Sequence, residues 1–228
     1  MIEMLHTDCM EYMRTLPDKA FDLAIVDPPY FKNVANGGFY GKATSSTGVE
    51  RHTKTDEHWD SGIPDEKYFS ELRRVSKNQI IWGANYFNCF SNENGAIIWD
   101  KKNDTSTFSN CEIASQTFSK GVFVFRYLWD GMKQEAGTRE TRIHISQKPV
   151  ALYKWLLSRY AKPSDRILDT HGGSGSICIA CHDLGYDLTW MELDADYYEA
   201  ACKRYQNHAA QGTLFDQAEL TRSNGWKA

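Results

Sequence analysis

The sequence predicts an α/β fold, a mostly parallel sheet with helices on both faces. Three observations lead there. Apolar runs of five to seven residues alternate with longer amphipathic segments along most of the chain. Two turn-forming motifs, one rich in proline and one in glycine, each follow an apolar strand directly. The length of 228 residues, with 41% hydrophobic and 25% charged side chains, suits one domain with a fully buried core.

In chain order, strands are expected at Ile2–His6, Asp22–Val26, Gln79–Trp82, Ala96–Trp99, Val122–Tyr127, Arg166–Leu168 and Leu188–Leu193, where the apolar runs lie. Helices are expected at Cys9–Leu16, Asp65–Ser76, Lys148–Ala161, Ser174–Leu184 and Ala195–His208. In the third of these, Val150, Tyr153, Leu157 and Tyr160 recur at helical spacing, so one face should pack on the sheet. Residues 31–63 break the alternation with five glycines, a Ser/Thr cluster and several aromatic and basic groups; an insert of that length is a functional lid or disordered. The organisation expected is one domain over 1–208 and an unpatterned tail over 209–228.

Composition narrows the class. No apolar run approaches the ~20 residues of a membrane span, and the first residues, MIEMLHTD, do not form a basic-then-apolar export segment. The expectation is a cytoplasmic protein without membrane contact whose six cysteines are thiols. Cys178-Ile179-Ala180-Cys181-His182 matches a haem-attachment string, but it falls inside a predicted helix and no second cysteine pair accompanies it, so packing thiols and no metal are expected. The net charge of −4 hides an asymmetry: residues 101–160 hold 10 basic and 5 acidic groups, while the flanks are acidic.

Three motifs carry chemistry. Asp27-Pro28-Pro29-Tyr30 follows the strand Leu23-Ala24-Ile25-Val26. Ligands bind at the carboxyl ends of strands in open α/β sheets, and two prolines stiffen the turn so that a carboxylate, carbonyls and a ring keep a fixed relation. Asp169-Thr170-His171-Gly172-Gly173-Ser174-Gly175-Ser176 lies between a strand and a helix, where glycines admit a ligand to the backbone and free N–H groups face it. About 20 residues on, Glu192 ends the next strand, where nucleoside-binding folds bond ribose hydroxyls. Such a half-site takes adenosine, whether of a dinucleotide or of S-adenosylmethionine. The third motif, His144-Ile145-Ser146-Gln147-Lys148-Pro149, opens the helix ahead of the glycine loop.

Together these motifs resemble the β group of DNA amino-methyltransferases, in which the catalytic motif precedes the cofactor loop. The resemblance covers roughly residues 2–208. Asp27–Tyr30 looks like the family's catalytic tetrapeptide, 144–149 like its His-x-x-Gln-Lys-Pro segment, 169–176 like its Asp-Pro-Phe-x-Gly-Ser-Gly-Thr loop, and Thr7-Asp8-Cys9 like the segment beside the cofactor adenine. Trp82-Gly83-Ala84-Asn85-Tyr86-Phe87 resembles phage and prophage members. Thr170, His171, Gly172-Gly173 and Ser176 depart from the family's loop but leave its glycines in place.

The resemblance implies a Rossmann-like methyltransferase fold and transfer of a methyl group from S-adenosyl-L-methionine to the N6 amine of an adenine flipped out of double-stranded DNA, in the service of DNA modification of the restriction–modification kind. Cytosine N4 is the alternative; an Asp-first tetrapeptide accompanies adenine more often. Catalysis is assigned to Asp27, Pro28, Pro29 and Tyr30. Cofactor binding falls to Asp8, Cys9, Asp27, His144, Ser146, Gln147, Lys148, Asp169, Thr170, Gly172, Gly173, Ser174, Gly175 and Glu192. DNA contacts are expected from Tyr30, Phe31, Lys101, Lys102, Arg126, Arg139 and Arg142, with 31–63 as a flap and 121–141 as a short recognition region. Other partners the sequence admits are a second copy of the chain and a sliding clamp docked on Gln211-Gly212-Thr213-Leu214-Phe215. A nicotinamide-dependent oxidoreductase would leave Asp27–Tyr30 without a role, and an inert DNA-binding subunit predicts a broken motif, which is not seen.

Overall fold

Strand-forming runs with apolar residues on both sides of the pleat can be buried only between two layers of helices, and the chain is built that way. The computed structural model describes residues 1–30, 63–104, 109–130, 133–136 and 139–223, the last with side chains to Gln211, and the backbone of 43–44 and 50–51. The elements are β1 (Ile2–His6), α1 (Cys9–Arg14), β2 (Phe21–Val26), β3 (Ala43–Thr44), β4 (Glu50–Arg51), α2 (Glu66–Val75), β5 (Ser76–Trp82), α3 (Ala84–Phe87), β6 (Gly95–Asp100), β7 (Cys111–Gln116), β8 (Val122–Arg126), β9 (Trp129–Asp130), β10 (Lys133–Gln134), α4 (Val150–Tyr160), β11 (Arg166–Asp169), α5 (Ser176–Leu184), β12 (Asp187–Glu192) and α6 (Ala195–Ser223).

Eight strands form one sheet in the order β1-β12-β11-β2-β5-β7-β6-β8. Every neighbouring pair is parallel except β5–β7 and β6–β7, so β7 is the one reversed strand of this sheet. The expected strands and helices are all present. β7 was not anticipated, and α6 continues past the expected end at His208 to Ser223, so the clamp-like segment 211–215 lies within a helical backbone.

Alternation along β2 shows how the layers are assigned. Leu23 and Ile25 point into a cluster with Leu152, Leu156, Leu157, Ile177 and Trp190 beneath α4 and α5. Ala24 and Val26 point the other way, into Met13, Phe69, Leu72 and Val75 of α1 and α2. Each fully buried aliphatic or aromatic side chain is worth about 1.5–3 kcal/mol relative to exposure. The expected stripe of α4 is also found: Tyr153, Leu157 and Tyr160 are buried, and Val150 packs against the same cluster.

Carboxylates begin several helices. Asp8 Oδ1 accepts from Met10 N (2.7 Å) and Glu11 N (3.0 Å) at α1, and Asp65 Oδ1 accepts from Lys67 N (2.9 Å) at α2. Asp194 Oδ1 does the same for Asp196 N and Tyr197 N at α6. Strands β12, β11, β2 and β5 are neighbours and parallel, so their carboxyl ends share one edge of the sheet, the edge at which open α/β sheets bind ligands.

Candidate active site

Two loops leave this edge beside each other, after β11 and after β2. In the first, Gly172 must be glycine for steric reasons: a Cβ there would stand 1.8 Å from the indole of Trp190, itself fully buried. Gly173 (φ 51°) and Gly175 (φ 67°) take the left-handed conformation that brings the chain round into α5. The loop is pinned from both neighbours. Gly172 N donates to Met191 O at 2.8 Å, and Gly173 N donates to Glu192 Oε2 at 2.8 Å. From α6, the Arg204 guanidinium donates to Ser174 O (2.8 Å) and Ser176 Oγ (2.9 Å) while pairing with Glu140 (2.6 Å), whose other oxygen accepts from Val150 N at the start of α4. No sequence motif pointed to Glu140 or Arg204; they are 64 residues apart and meet only through the fold.

Asp169 and Glu192, the two acids beside this loop, form no ion pair among the described residues. Asp169 is 2% exposed, accepts from His171 N at 3.1 Å, and burial pushes its carboxyl up to about 8. Burial also raises Glu192, although the backbone N–H groups of Asp194 and Gly173 work against it. Cys9 is driven up to about 12 by burial and the Asp8 charge. His144 lies with its ring 4.3 Å from that of Tyr197, accepts from Ser146 N at 3.2 Å, and is held neutral by burial, which lowers its pKa to about 3. Thr170 Oγ1 bonds Tyr68 Oη (2.7 Å).

The second loop holds Asp27-Pro28-Pro29-Tyr30, and here every charge is matched. Asp27 Oδ1 accepts from the Tyr30 hydroxyl, and Asp27 Oδ2 accepts from the Lys148 ammonium. Lys148, with its side chain 2% exposed, also reaches Glu112 Oε2 at 3.0 Å, and Glu112 Oε1 pairs with Lys101 at 2.7 Å. Burial drives the Asp27 carboxyl up and Lys148 opposes it. Against a burial that would raise it, Lys148 and Lys101 hold Glu112 down to about 2. The Tyr30 ring stacks on Tyr86 of α3 (centroids 5.2 Å, 24°) and meets Phe87 edge-on. Gly83, with φ 70°, passes so close that a Cβ would sit 2.2 Å from Tyr30 Cε1.

The structure thus gathers Asp27, Tyr30, Lys148, Asp169, Glu192 and the glycines on one edge, but redistributes several expected residues. Lys148, expected on the cofactor side, is bonded to Asp27. Gln147 is turned into its own segment, with Oε1 accepting from Ile143 N (2.9 Å) and Nε2 donating to Thr141 O (3.2 Å). Asp8 caps α1, and Ser146 is exposed. Among the expected DNA contacts, Lys101 is paired with Glu112, Lys102 with Glu135 (3.1 Å) and Arg126 with Asp100 (3.3 Å). Arg142 donates to Ile145 O at 2.5 Å and lies over the Trp129 ring. Arg139 is exposed; Phe31 and most of the flap lie outside the described residues. Glu112 and Tyr86 were not anticipated as site residues. Cys178 and Cys181 are buried in α5, and no cluster of three or more metal-ligating side chains occurs among the described residues.

Comparison with known proteins agrees with this geometry. The Type II methyltransferase M.HinfI of Haemophilus influenzae is 27% identical over 251 residues, covering 88% of this chain and 67% of that protein. In fold, the chain is similar to M1.HpyAVI in its complex with SAM (TM-score 0.53, 21% identity, 90% of this chain and 100% of that one). It is also similar to the cytosine-N4-specific PvuII DNA methyltransferase (TM-score 0.55, 9% identity, 92% and 90%). These likenesses identify the sheet as the S-adenosylmethionine-dependent methyltransferase fold. The profile of the N6/N4 methyltransferase family, described as DNA methylase, matches residues 21–203, a span that takes in both loops and the charged line from Asp27 to Lys148, Glu112 and Lys101. That family draws its methyl group from S-adenosyl-L-methionine, and this chain belongs to it.

Proposed function

We propose that the protein transfers a methyl group from S-adenosyl-L-methionine to the N6 amine of an adenine flipped out of double-stranded DNA. The observation that carries this reading is the Asp27 constellation: a buried carboxylate beside an aromatic ring, one strand away from a glycine loop lined with unmatched acids. The residues present fit the cofactor. Gly172 and Gly173 leave a cradle that a Cβ would fill, and Asp169, buried, and Glu192, half-buried, are carboxyl groups of the kind that a cationic ammonium and a ribose diol would satisfy. Asp169 would hold the ammonium and Glu192 the ribose. The cofactor supplies an electrophilic methyl on a sulfonium.

The rest is done by the chain. An exocyclic amine is a poor nucleophile because its lone pair is delocalised into the ring, and it is inaccessible inside the duplex. Flipping costs a few kcal/mol, and stacking on Tyr30 returns about 1–3 kcal/mol. Lys148 holds Asp27 Oδ2, so the oxygen that receives the amine is Oδ1, and the Tyr30 hydroxyl yields that position as its ring turns to stacking. The Pro28 carbonyl takes the second amine hydrogen. With both hydrogens bound, the nitrogen lone pair is freed toward the methyl group. The bound cofactor would supply the methyl group to this nitrogen and leave as the neutral thioether, and Asp27 would accept the amine proton released. Positioning, together with acceptors set where positive charge develops, supplies most of the rate.

The choice of adenine rests on the Asp-first tetrapeptide, and the β-group and phage-type reading rests on motif order and on Trp82–Phe87. Arg139 and the flap, 31–63, complete the DNA side. The test is methyl transfer to DNA with digestion to nucleosides, comparing the native chain with Asp27→Ala. The expected result is N6-methyladenine from the native protein and a loss of at least ~1,000-fold in the variant, as for removal of a catalytic acceptor. N4-methylcytosine would overturn the base, and no DNA methylation would overturn the activity.

A further inference from the structure

Glu112 belongs to no motif, yet its side chain is the only carboxylate among the described residues that bridges Lys148 and Lys101. It is the second residue of a reversed strand: Glu112 pairs in register with Trp99 of β6, so the beginning of β7 reaches the edge where the parallel strands end. The result is a line of alternating charges, Asp27, Lys148, Glu112 and Lys101, whose formal sum is zero. A lysine this buried needs opposite charge beside it, and Glu112 supplies a second carboxylate 3.0 Å from the Lys148 ammonium, an ion pair and not an aligned hydrogen bond.

We propose that Glu112 is a positioning residue for methyl transfer: its carboxylate fixes the Lys148 ammonium on Asp27 and cancels that positive charge beside the nitrogen that becomes cationic. This rests on the methyltransferase reading above. Two consequences follow from geometry. Held from both sides, Lys148 locks Asp27 in the rotamer that turns Oδ1 to the incoming amine. Without the Glu112 charge, the line carries a net positive charge and repels the developing ammonium across a few ångströms of low dielectric.

Glu112→Gln keeps the shape and one acceptor oxygen while removing the charge. Labelled methyl transfer to unmethylated genomic DNA is measured for the native chain and the variant, with the pH profile of kcat, S-adenosylmethionine binding by calorimetry, and Tm. The groups facing Asp27 are Tyr30, Lys148, Glu112, Asp169 and Tyr153. Removing one negative neighbour makes Asp27 easier to ionise, so the acidic limb of the profile should move to lower pH while kcat falls about 10- to 100-fold. KM for DNA and cofactor affinity should stay within about threefold. Glu112→Asp, which keeps the charge, should recover at least part of the lost kcat.

A Glu112→Gln kcat within twofold of native overturns the proposal. So does a loss accompanied by collapse of Tm and cofactor binding with Glu112→Asp equally inactive, which marks a structural role. A native chain that binds the cofactor but methylates no DNA refutes the methyltransferase reading itself, an outcome distinct from either.

Discussion

The two loops at the ligand edge treat buried carboxyl groups in opposite ways. After β2, Asp27 and Glu112 are ion-paired with Lys148 and Lys101 and the Tyr30 hydroxyl donates to Asp27, although burial still leaves the Asp27 carboxyl raised and Glu112 Oε2 accepts no hydrogen bond. After β11, Asp169 and Glu192 have backbone N–H partners but form no ion pair among the described residues, and burial holds both pKa values high. The difference follows the charge of what each loop is proposed to receive. A DNA base arrives neutral, so its acceptor must already be ionised and balanced by the protein. A sulfonium amino acid arrives with cations of its own, and a site that had matched its acids internally would have to give up those pairs to bind it.

The largest expected effect on cofactor binding comes from Asp169→Asn. Removing one partner of a buried pair costs about 3–5 kcal/mol, so cofactor affinity should fall at least ~100-fold by calorimetry, with native binding itself weakening as pH falls below 8. The sign for stability is the reverse. A folded pKa near 8 lies above the unfolded value, so the protonated carboxyl favours folding at low pH and that contribution is lost as pH rises from about 4 to 8. The free variant should therefore melt above the free native protein, by a margin that widens up to pH 8 and then stays constant. A variant less stable than the native chain at pH 9 would show that Asp169 is already matched, and the contrast between the loops would fail.

Gly172→Ala tests the same loop through shape. The new methyl group collides with the Trp190 indole, a rigid, fully buried partner, and overpacking of this kind costs about 1–3 kcal/mol. For a chain of this size that is a Tm loss of roughly 2–10 °C, with cofactor affinity reduced about tenfold and the Asp27–Lys148 pair untouched. An unchanged Tm would mean that the loop gives way, and that the glycine is there for the ligand alone.

The seven strands expected from sequence share one property, a run or alternation of apolar residues, even at the half-exposed edges β1 and β8. β7 lacks it. Cys111-Glu112-Ile113-Ala114-Ser115-Gln116 is half polar, yet Ser115 and Gln116 are buried because neighbours on both sides satisfy the backbone, and the Gln116 amide bonds Phe118 N, Ser119 and Gly121 O in the turn that follows. Missing that strand meant missing Glu112. A reading based on parallel strands looks for function at their carboxyl ends, and β7 brings its beginning to the site instead. Asp27, Asp169, Glu192 and the glycines were legible because each ends a recognisable strand or breaks the backbone rules in a known way. Gln147 and Lys148 stood in a correct motif, but only the fold reveals that one amide serves its own loop and that the ammonium serves Asp27. Arg204 and Glu140 left no local trace at all.

The smallest effect divides two arginines that composition treated alike. Both lie in the basic stretch, yet Arg142 is spent on Ile145 O and the Trp129 ring, whereas Arg139 is exposed and forms no ion pair among the described residues. A phosphate contact lowers the magnitude of the salt slope by about one when removed, without changing sequence preference. Arg139→Gln should therefore weaken DNA binding several-fold at low salt and flatten the plot of log affinity against log salt by about one. Arg142→Gln should leave the slope within error and instead lower Tm by a degree or two. If both variants flatten the slope equally, the Arg142 contacts open when DNA binds. The catalytic side would then match its charges only until a polyanion arrives, and the line from Asp27 to Lys101 would have to be re-examined with DNA bound.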